Sequence, residues 1–200
     1  MHTLELKWNT EYLMTALRLA SRMIEQFYDS KNGGFYFSSQ AHEGLFHHSK
    51  NFFDDATPSG NAVAAKVLLR LGFLTGKLDF VDIAEQMLKS VNTHMRSRLD
   101  ATTSLNSVVM EYLQPIDVII LRGFENDLEL WQSKTRKLLK RRAICYAIPE
   151  SESDLPEGLS SKIFQGVIVA YICNGFSCSK PINDFKNYQE YLTDSSARAQ

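Results

Sequence analysis

The spacing of the apolar residues changes at Pro115, and this change limits the possible folds more than any other feature of the chain. Before Pro115 apolar residues recur at intervals of three and four, whereas residues 118–121 form an unbroken apolar run. The first pattern predicts amphipathic helices, and the second is typical of a strand covered on both faces. The sequence therefore predicts a mainly α protein, with a helical region at 1–114 and a small α/β unit at 115–200.

The helical region carries clear start and stop signals. The first helix is predicted over residues 10–28, with Asn9 or Thr10 as its N-cap. The second is predicted to begin at Thr57–Pro58, where the threonine caps the first turn and the proline loses no hydrogen bond that it needs. Gly76 is its predicted stop. Such helices in series favour stacked antiparallel hairpins.

The remaining elements follow from the same kinds of pattern. A third helix is predicted behind an Asp79 cap, and a fourth, weaker one after residues 102–103. A strand, helix and strand then predict a parallel crossover of the right-handed kind. The predicted elements of the α/β unit are strands at 118–121, 143–148 and 167–172, with helices at 127–140 and 185–192.

Composition excludes several classes of function. The 22 basic and 23 acidic residues leave a net charge of −1, which gives no general attraction to nucleic acid or to an anionic membrane. The basic run within 134–142 has no interleaved aromatic residues for base stacking. No apolar run is long enough to span a bilayer, and the first residues lack the continuous apolar stretch that would predict a secretory signal. We expect a cytoplasmic protein without a nucleic-acid or membrane partner.

Three cysteines lie late in the chain, and an odd number favours a reducing compartment. Cys173 and Cys178 lie five positions apart around a glycine turn, a spacing that allows a metal clip or a disulfide. No second pair of ligands has matching spacing, and Cys145 stands alone. The sequence predicts reduced thiols, no metal and no cofactor.

The loop before the second helix holds a group of titratable residues. His47 and His48 precede Asp54 and Asp55, and a further histidine–glutamate pair ends at Glu43. Imidazoles and carboxylates together can carry out acid–base chemistry or hold a cation. The spacing matches no established ligand motif, so solvated loop residues are the alternative interpretation.

The segment from Asp54 to Asn61 concentrates polar side chains at a predicted helix start. Exposed amides at such an end attract oxygen-rich ligands, and Ser59 and Asn61 add polar groups beyond what capping requires. Plain helix capping is the alternative, because Thr57 alone would suffice for it. The pattern supports both interpretations.

Several motifs, in order, resemble the C-terminal half of the spermatogenesis-associated protein 20 family, whose members combine a thioredoxin-like domain with an (α/α)6 toroid of helical hairpins. The resemblance extends over most of the chain. It rests on Gly33-Gly34-Phe35-Tyr36-Phe37, Asp54-Asp55-Ala56-Thr57-Pro58-Ser59-Gly60-Asn61, Ala64-Ala65, Leu68-Leu69-Arg70-Leu71 and the segment 170–178 with Pro181. It implies a partial (α/α)6 toroid holding the last few helices, followed by the α/β unit.

The resemblance implies two functions of different classes. The first is a binding or scaffold module completed by a second copy or a partner chain, with a small sugar as its possible ligand. The second is a carbohydrate-active enzyme, epimerase-like or glycosidase-like, with Asp54 or Asp55 as acid–base and His47 or a neighbouring histidine assisting. In either case Asp54, Asp55, Ser59 and Asn61 would face the cavity of the toroid.

Overall fold

The computed structural model describes residues 1–39, 49–139 and 143–193. The chain divides into two compact units, and each is described by itself below. A helical unit comprises Met14–Pro115, and an α/β unit combines Met1–Leu13 with the residues from Ile116 onward. The first thirteen residues thus belong to the α/β unit, an association that no local sequence pattern indicates.

Among the described residues of the helical unit, the secondary structure consists of helices and one isolated antiparallel bridge between Tyr28 and Phe35. Helix α2 begins near the end of the first segment and continues into this unit, and a single turn of 3-10 helix at Asp100–Thr102 precedes the last helix. The helices are α2 (Thr10–Phe27), α3 (Gly60–Thr75), α4 (Leu78–Ser90), α5 (Asn92–Ser97) and α6 (Thr103–Leu113).

Local end signals explain most of these boundaries. The Asn9 side chain accepts a hydrogen bond from the Tyr12 amide at 2.9 Å, which confirms the predicted N-cap of α2. Gly76 ends α3 in the left-handed conformation with a φ of 77°, as predicted. Gly72 has a separate role, because a Cβ there would lie 2.6 Å from Val81 of α4. The bare backbone lets α4 pack closely against α3.

Two of the predicted caps are wrong. Helix α3 begins at Gly60 and not at Thr57, because Ser59 is the N-cap and its hydroxyl accepts the Ala62 amide at 3.2 Å. Helix α4 begins at Leu78, so Asp79 lies inside its first turn and is not the cap. The first error arises because Asp54 accepts the Ser59 amide, a contact that capping preferences do not include. The second is a shift of the helix start by two residues, since the N-cap is Lys77.

A buried ion pair joins α3 to α6. Arg70 Nε lies 2.6 Å from one carboxylate oxygen of Glu111, and Nη2 lies 2.9 Å from the other. The two side chains are only 13% and 1% exposed. This two-point geometry supplies orientation as well as energy, so it fixes how the two helices meet.

The α/β unit is built around a mixed four-stranded sheet in the order β2-β1-β3-β4. Strands β1 and β2 are parallel and are connected through α7, which confirms the predicted parallel crossover connection. The third strand is antiparallel to β1. The elements are α1 (His2–Leu6), β1 (Asp117–Gly123), α7 (Glu125–Leu138), β2 (Ala143–Pro149), α8 (Glu157–Ser160), β3 (Val169–Asn174), β4 (Ser177–Cys178) and α9 (Phe185–Thr193).

Apolar packing covers the sheet. One face buries Ile119 and Leu121 of β1 against Trp131 of α7 and Tyr188 of α9. Trp131 and Tyr188 stack at 4.9 Å with nearly parallel rings. All seven residues of β1 are buried, which explains why residues 118–121 form an unbroken apolar run.

The structure thus confirms a mainly helical protein with a small α/β unit. Within the described ranges, none of the helices combines the length and the apolar character needed to cross a bilayer.

Candidate ligand-binding site

A pocket of about 440 Å³ opens in the helical unit at the start of α3. Its walls come from the end of α2, from the segment around Phe35, from the loop before α3 and from the first turn of α3. The lining residues are Met23, Phe27, Phe35, Tyr36, Phe37, Asn51, Phe53, Asp55, Thr57, Pro58, Ser59, Gly60, Asn61 and Ala64. The segment singled out in the sequence therefore forms one wall of a real concavity.

Aromatic rings make up much of the pocket surface. Phe35 is buried and fixed, whereas Phe37 is 84% exposed and Phe53 is also exposed. Among the described lining residues, Asp55 is the one charged side chain, and it is exposed. Its carboxylate has no hydrogen-bond partner within the described ranges. An apolar wall with a few polar groups is the usual composition of a small-molecule site.

The side-chain amide of Asn61 holds the pocket wall together through three hydrogen bonds. Asn61 is 4% exposed, and its Oδ1 accepts the Phe35 amide at 2.7 Å. Its Nδ2 donates to the carbonyl oxygens of Phe35 and Asn51, both at 2.9 Å. The amide therefore joins α3 to two separate backbone segments. Asn61 contacts the pocket, but three of its hydrogen-bonding positions are occupied by the protein itself.

Asp54 also binds backbone amides through its side chain, and it is not among the residues that line the pocket. Its two carboxylate oxygens accept the Ser59 amide at 2.9 Å and the Ser104 amide at 2.7 Å. Ser104 lies in the first turn of α6, whose own N-cap residue makes no side-chain cap. Asp54 thus caps α6 from a distant part of the chain and also fixes the start of α3.

These contacts determine the charge state of Asp54. Burial would raise the pKa of its carboxyl group, but the hydrogen bonds from Ser104 and Ser59 favour the ionised form and leave the pKa below its ordinary value. An acid that stays ionised and whose two oxygens are both engaged is poorly suited to proton transfer.

A charged cluster that sequence analysis missed supports the opposite wall. Asp29 is buried and accepts hydrogen bonds from Lys50 Nζ and the Tyr36 hydroxyl, both at 2.7 Å. The same carboxylate accepts the backbone amides of Lys31 and Asn32 at 3.0 Å. The available signal was the turn composition of the segment, an aspartate closely followed by two glycines.

The ion pair with Lys50 makes this cluster a rigid support. The hydrogen bond from Lys50 lowers the pKa of Asp29 far below its ordinary range, and this effect outweighs burial. Lys50 also donates to the Gly33 carbonyl at 2.5 Å, and its ammonium lies 4.8 Å from the centre of the Tyr36 ring. The cluster therefore fixes the backbone that presents Phe35, Tyr36 and Phe37 to the pocket.

The remaining predicted site residues have different positions. Ser59 is the N-cap of α3 and is buried, so its hydroxyl is used within the helix start. His47, its neighbour His48 and Glu43 lie outside the described residues. Within the described ranges, no group of three or more His, Cys, Asp or Glu side chains is arranged to hold a metal ion.

The prediction of reduced thiols in the α/β unit is contradicted by the structure. Cys173 and Cys178 form a disulfide, whereas Cys145 is free. The two cysteines lie directly opposite one another where β3 pairs with β4. The sequence spacing allowed either state, and the tight hairpin brings the two residues together.

Fold and pocket together define a mainly helical protein with a small mixed-sheet unit and an aromatic pocket at a helix start. No known protein-family profile matches the chain. Comparison with curated proteins confirms the resemblance inferred from the motifs. The chain is 29% identical over 195 residues to Spermatogenesis-associated protein 20 of Homo sapiens and of Rattus norvegicus, and 28% identical to that of Mus musculus.

The three alignments each cover 90% of this chain and 24% of the relative. The chain therefore spans about a quarter of the length of the curated proteins that it matches. Similarity along most of this chain makes them its relatives, and their printed names state no ligand or reaction.

Proposed function

We propose that the helical unit is a ligand-binding module whose pocket at the start of α3 takes a small carbohydrate or polyol. The observation that carries this proposal is the combination of an exposed aromatic wall, Phe37 and Phe53, with the carboxylate of Asp55. Aromatic faces can cover the C–H face of a sugar ring, while a carboxylate accepts hydrogen bonds from its hydroxyl groups. The volume of about 440 Å³ lies within the range of small-molecule sites.

Binding is favoured over catalysis by the way the carboxylates are used. Glycosidases generally need two carboxyl groups on either side of the scissile bond. Asp54 is occupied by two backbone amides, and among the described lining residues Asp55 is the one acidic group. The alternative proposal, a carbohydrate-active enzyme, would have to use Asp55 as its acid–base residue. Turnover of a sugar that disappears in Asp55→Asn would favour that alternative.

The proposal includes a partner that completes the module. The proposal takes the helices as an arc of a hairpin toroid, and such an arc by itself leaves apolar helix faces without cover. Large apolar residues of the helical unit are exposed at Leu19, Val63, Met110 and Leu113. We expect a second copy of the chain, or a partner chain in the cytoplasm, to cover these faces and complete the partial toroid. Light scattering of the purified chain at micromolar concentration should show a dimer, and a clean monomer would contradict self-association.

The ligand can be tested by thermal shift with a panel of mono- and disaccharides. A sugar present at a hundred times its dissociation constant should add about 2.7 kcal/mol of apparent stability. Asp55→Asn should abolish this gain and leave the unliganded protein nearly unchanged, because Asp55 is exposed. Phe53→Ala should weaken the same gain.

The matched control is Asp79→Asn, the same change at an exposed residue in the first turn of α4. This variant should bind as the wild type does. Asn61→Ala is unsuitable as a binding test, because it removes three hydrogen bonds that shape the wall. A flat response of the wild type across the whole panel, or an equal loss in both Asp→Asn variants, would overturn the proposed sugar site.

A further inference from the structure

The disulfide of the α/β unit joins two residues with very different access to solvent. Cys173 in β3 is 4% exposed, whereas Cys178 in β4 is exposed. They are separated by a tight turn in which Gly175 has a φ of 59°. Strand β4 has two residues and pairs with β3, so the exposed cysteine lies on an edge strand of the sheet. An external thiol can therefore approach the disulfide from the Cys178 side.

Backbone hydrogen bonds hold the segments around this pair in addition to the disulfide. Strand β3 pairs with β1 from Val169 to Asn174 along its other edge. Beyond Cys178, the Ser179 amide donates to the Ile172 carbonyl at 2.7 Å, and Ala170 exchanges two backbone hydrogen bonds with Ile182 at 2.8 and 2.9 Å. We expect these contacts to hold the two cysteines opposite each other when the covalent bond is broken. A disulfide across so short a loop also removes little entropy from the unfolded chain.

We propose that Cys173 and Cys178 form a redox-active pair that undergoes thiol–disulfide exchange with external thiols through Cys178. In the first step a thiolate attacks Cys178 Sγ, the Cys173–Cys178 bond breaks, and Cys173 leaves and takes up a proton. In the second step another thiolate attacks the external sulfur of the mixed disulfide and releases Cys178. In total, two external thiols become one disulfide, and the protein gains two electrons and two protons.

The third cysteine provides an internal contrast. Cys145 in β2 packs against the apolar core, and burial raises the pKa of its thiol to about 12. A thiol that remains protonated is a poor nucleophile. Cys145 should therefore take no part in exchange, although it belongs to the same sheet.

The first experiment is a redox titration of the folded wild-type chain with reduced and oxidised glutathione. Thiols are trapped with an alkylating reagent and counted by intact mass, and far-UV circular dichroism follows the fold. We expect two thiols to appear together in native buffer while the spectrum stays the same. A pair that is fully alkylated without any reductant, or that is reduced only in denaturant, would overturn the proposal.

The second experiment tests the direction of attack with single variants incubated with oxidised glutathione. Cys173→Ser leaves the exposed Cys178, which should form a glutathione adduct roughly tenfold or more faster than Cys173 does in Cys178→Ser. Cys145→Ser is the matched control and should titrate as the wild type does. Equal rates in the first two variants, or no adduct in either, would overturn the assignment to Cys178. If either variant is unfolded, the wild-type titration still decides whether the pair is redox-active.

Discussion

The two units differ in how the buried charged side chains named below are partnered. In the helical unit each of two buried acids has a basic partner, Asp29 with Lys50 and Glu111 with Arg70. In the α/β unit Arg122 of β1 is 6% exposed, and only Nη2 makes a hydrogen bond, at 3.2 Å to the Glu152 carbonyl. Its Nε and Nη1 are buried without an acceptor among the described residues.

The difference reflects what holds each unit together. The strands of the α/β unit are joined by a backbone ladder, so their arrangement does not require charged side chains. Helices satisfy their own backbone and depend on side chains to fix how they meet and how the loops between them run. Paired charges in the helical unit therefore help to determine how its helices and loops are arranged. Arg122, by contrast, lies in a strand whose position is already determined by backbone hydrogen bonds. The following predictions test this contrast, from the largest expected effect to the smallest.

Acid should weaken the helical unit before the α/β unit. Lys50 lowers the pKa of Asp29, and the amide hydrogen bonds to Asp54 outweigh the burial that would raise its pKa. A carboxylate whose pKa is depressed by folding stabilises the protein above its unfolded pKa of about 3.9, and this contribution is lost as the pH falls through the folded pKa. We expect the loss of helical signal to begin below about pH 4.

The two tryptophans, Trp8 and Trp131, belong to the α/β unit, so their fluorescence reports on that unit alone. Circular dichroism should therefore change at a higher pH than tryptophan fluorescence. Asp29→Asn should flatten the acid dependence, and the exposed control Asp79→Asn should leave it unchanged. Coincident transitions by both probes would contradict the contrast between the units.

Breaking the buried pair between α3 and α6 should have the next largest effect. Arg70→Met keeps the apolar length of the side chain and removes the guanidinium that pairs with Glu111, whose side chain is 1% exposed. Removing one member of a buried pair costs about 3 kcal/mol, because the other charge stays desolvated. Urea unfolding followed by circular dichroism would measure the loss. Arg22→Met, at an exposed pair on α2, is the control and should change stability little.

Sequence analysis located the longer helices, because these depend on local signals. Gly76 ends α3 through its own backbone freedom, and the β1 run needs no distant residue to be recognised as a strand. The N-cap of α3 was misplaced because Asp54 accepts the Ser59 amide and fixes the chain two residues beyond Thr57. Capping preferences describe the residue types at a helix end and do not include this contact with the preceding loop.

The roles within the site could not be predicted from the sequence for the same reason. Asp54 contacts Ser104, 50 residues away, and Asn61 contacts Phe35, 26 residues away. The family resemblance implies that both face a cavity, and Asn61 also adds polarity beyond what capping needs. The structure gives both side chains long-range backbone partners that no local pattern predicts. Asp29 was missed because its buried ion pair with Lys50 forms across a loop.

The corrected cap gives a smaller, local prediction. Ser59→Ala should cost about 1 kcal/mol, because the Ala62 amide loses its side-chain acceptor at the start of α3. Thr57→Ala should cost little, since Thr57 is exposed and lies outside the helix. Urea unfolding of the two variants in parallel would measure both values. A larger cost for Thr57→Ala than for Ser59→Ala would mean that the helix starts earlier in solution.

The smallest effect is expected at Arg122, and it tests the contrast most directly. Burial lowers the pKa of the Arg122 guanidinium, although Glu152 and Glu150 oppose this, so the charged form is not well stabilised where it lies. Arg122→Met removes two donors that have no acceptor among the described residues and loses a single hydrogen bond. Replacing a poorly satisfied buried charge by an apolar side chain of similar length is often neutral or stabilising. We therefore expect a change within about 1 kcal/mol, measured by urea unfolding with tryptophan fluorescence, against the loss of about 3 kcal/mol for Arg70→Met. A comparable loss in both variants would mean that Arg122 is as well paired as Arg70, and the two units would then treat buried charge alike.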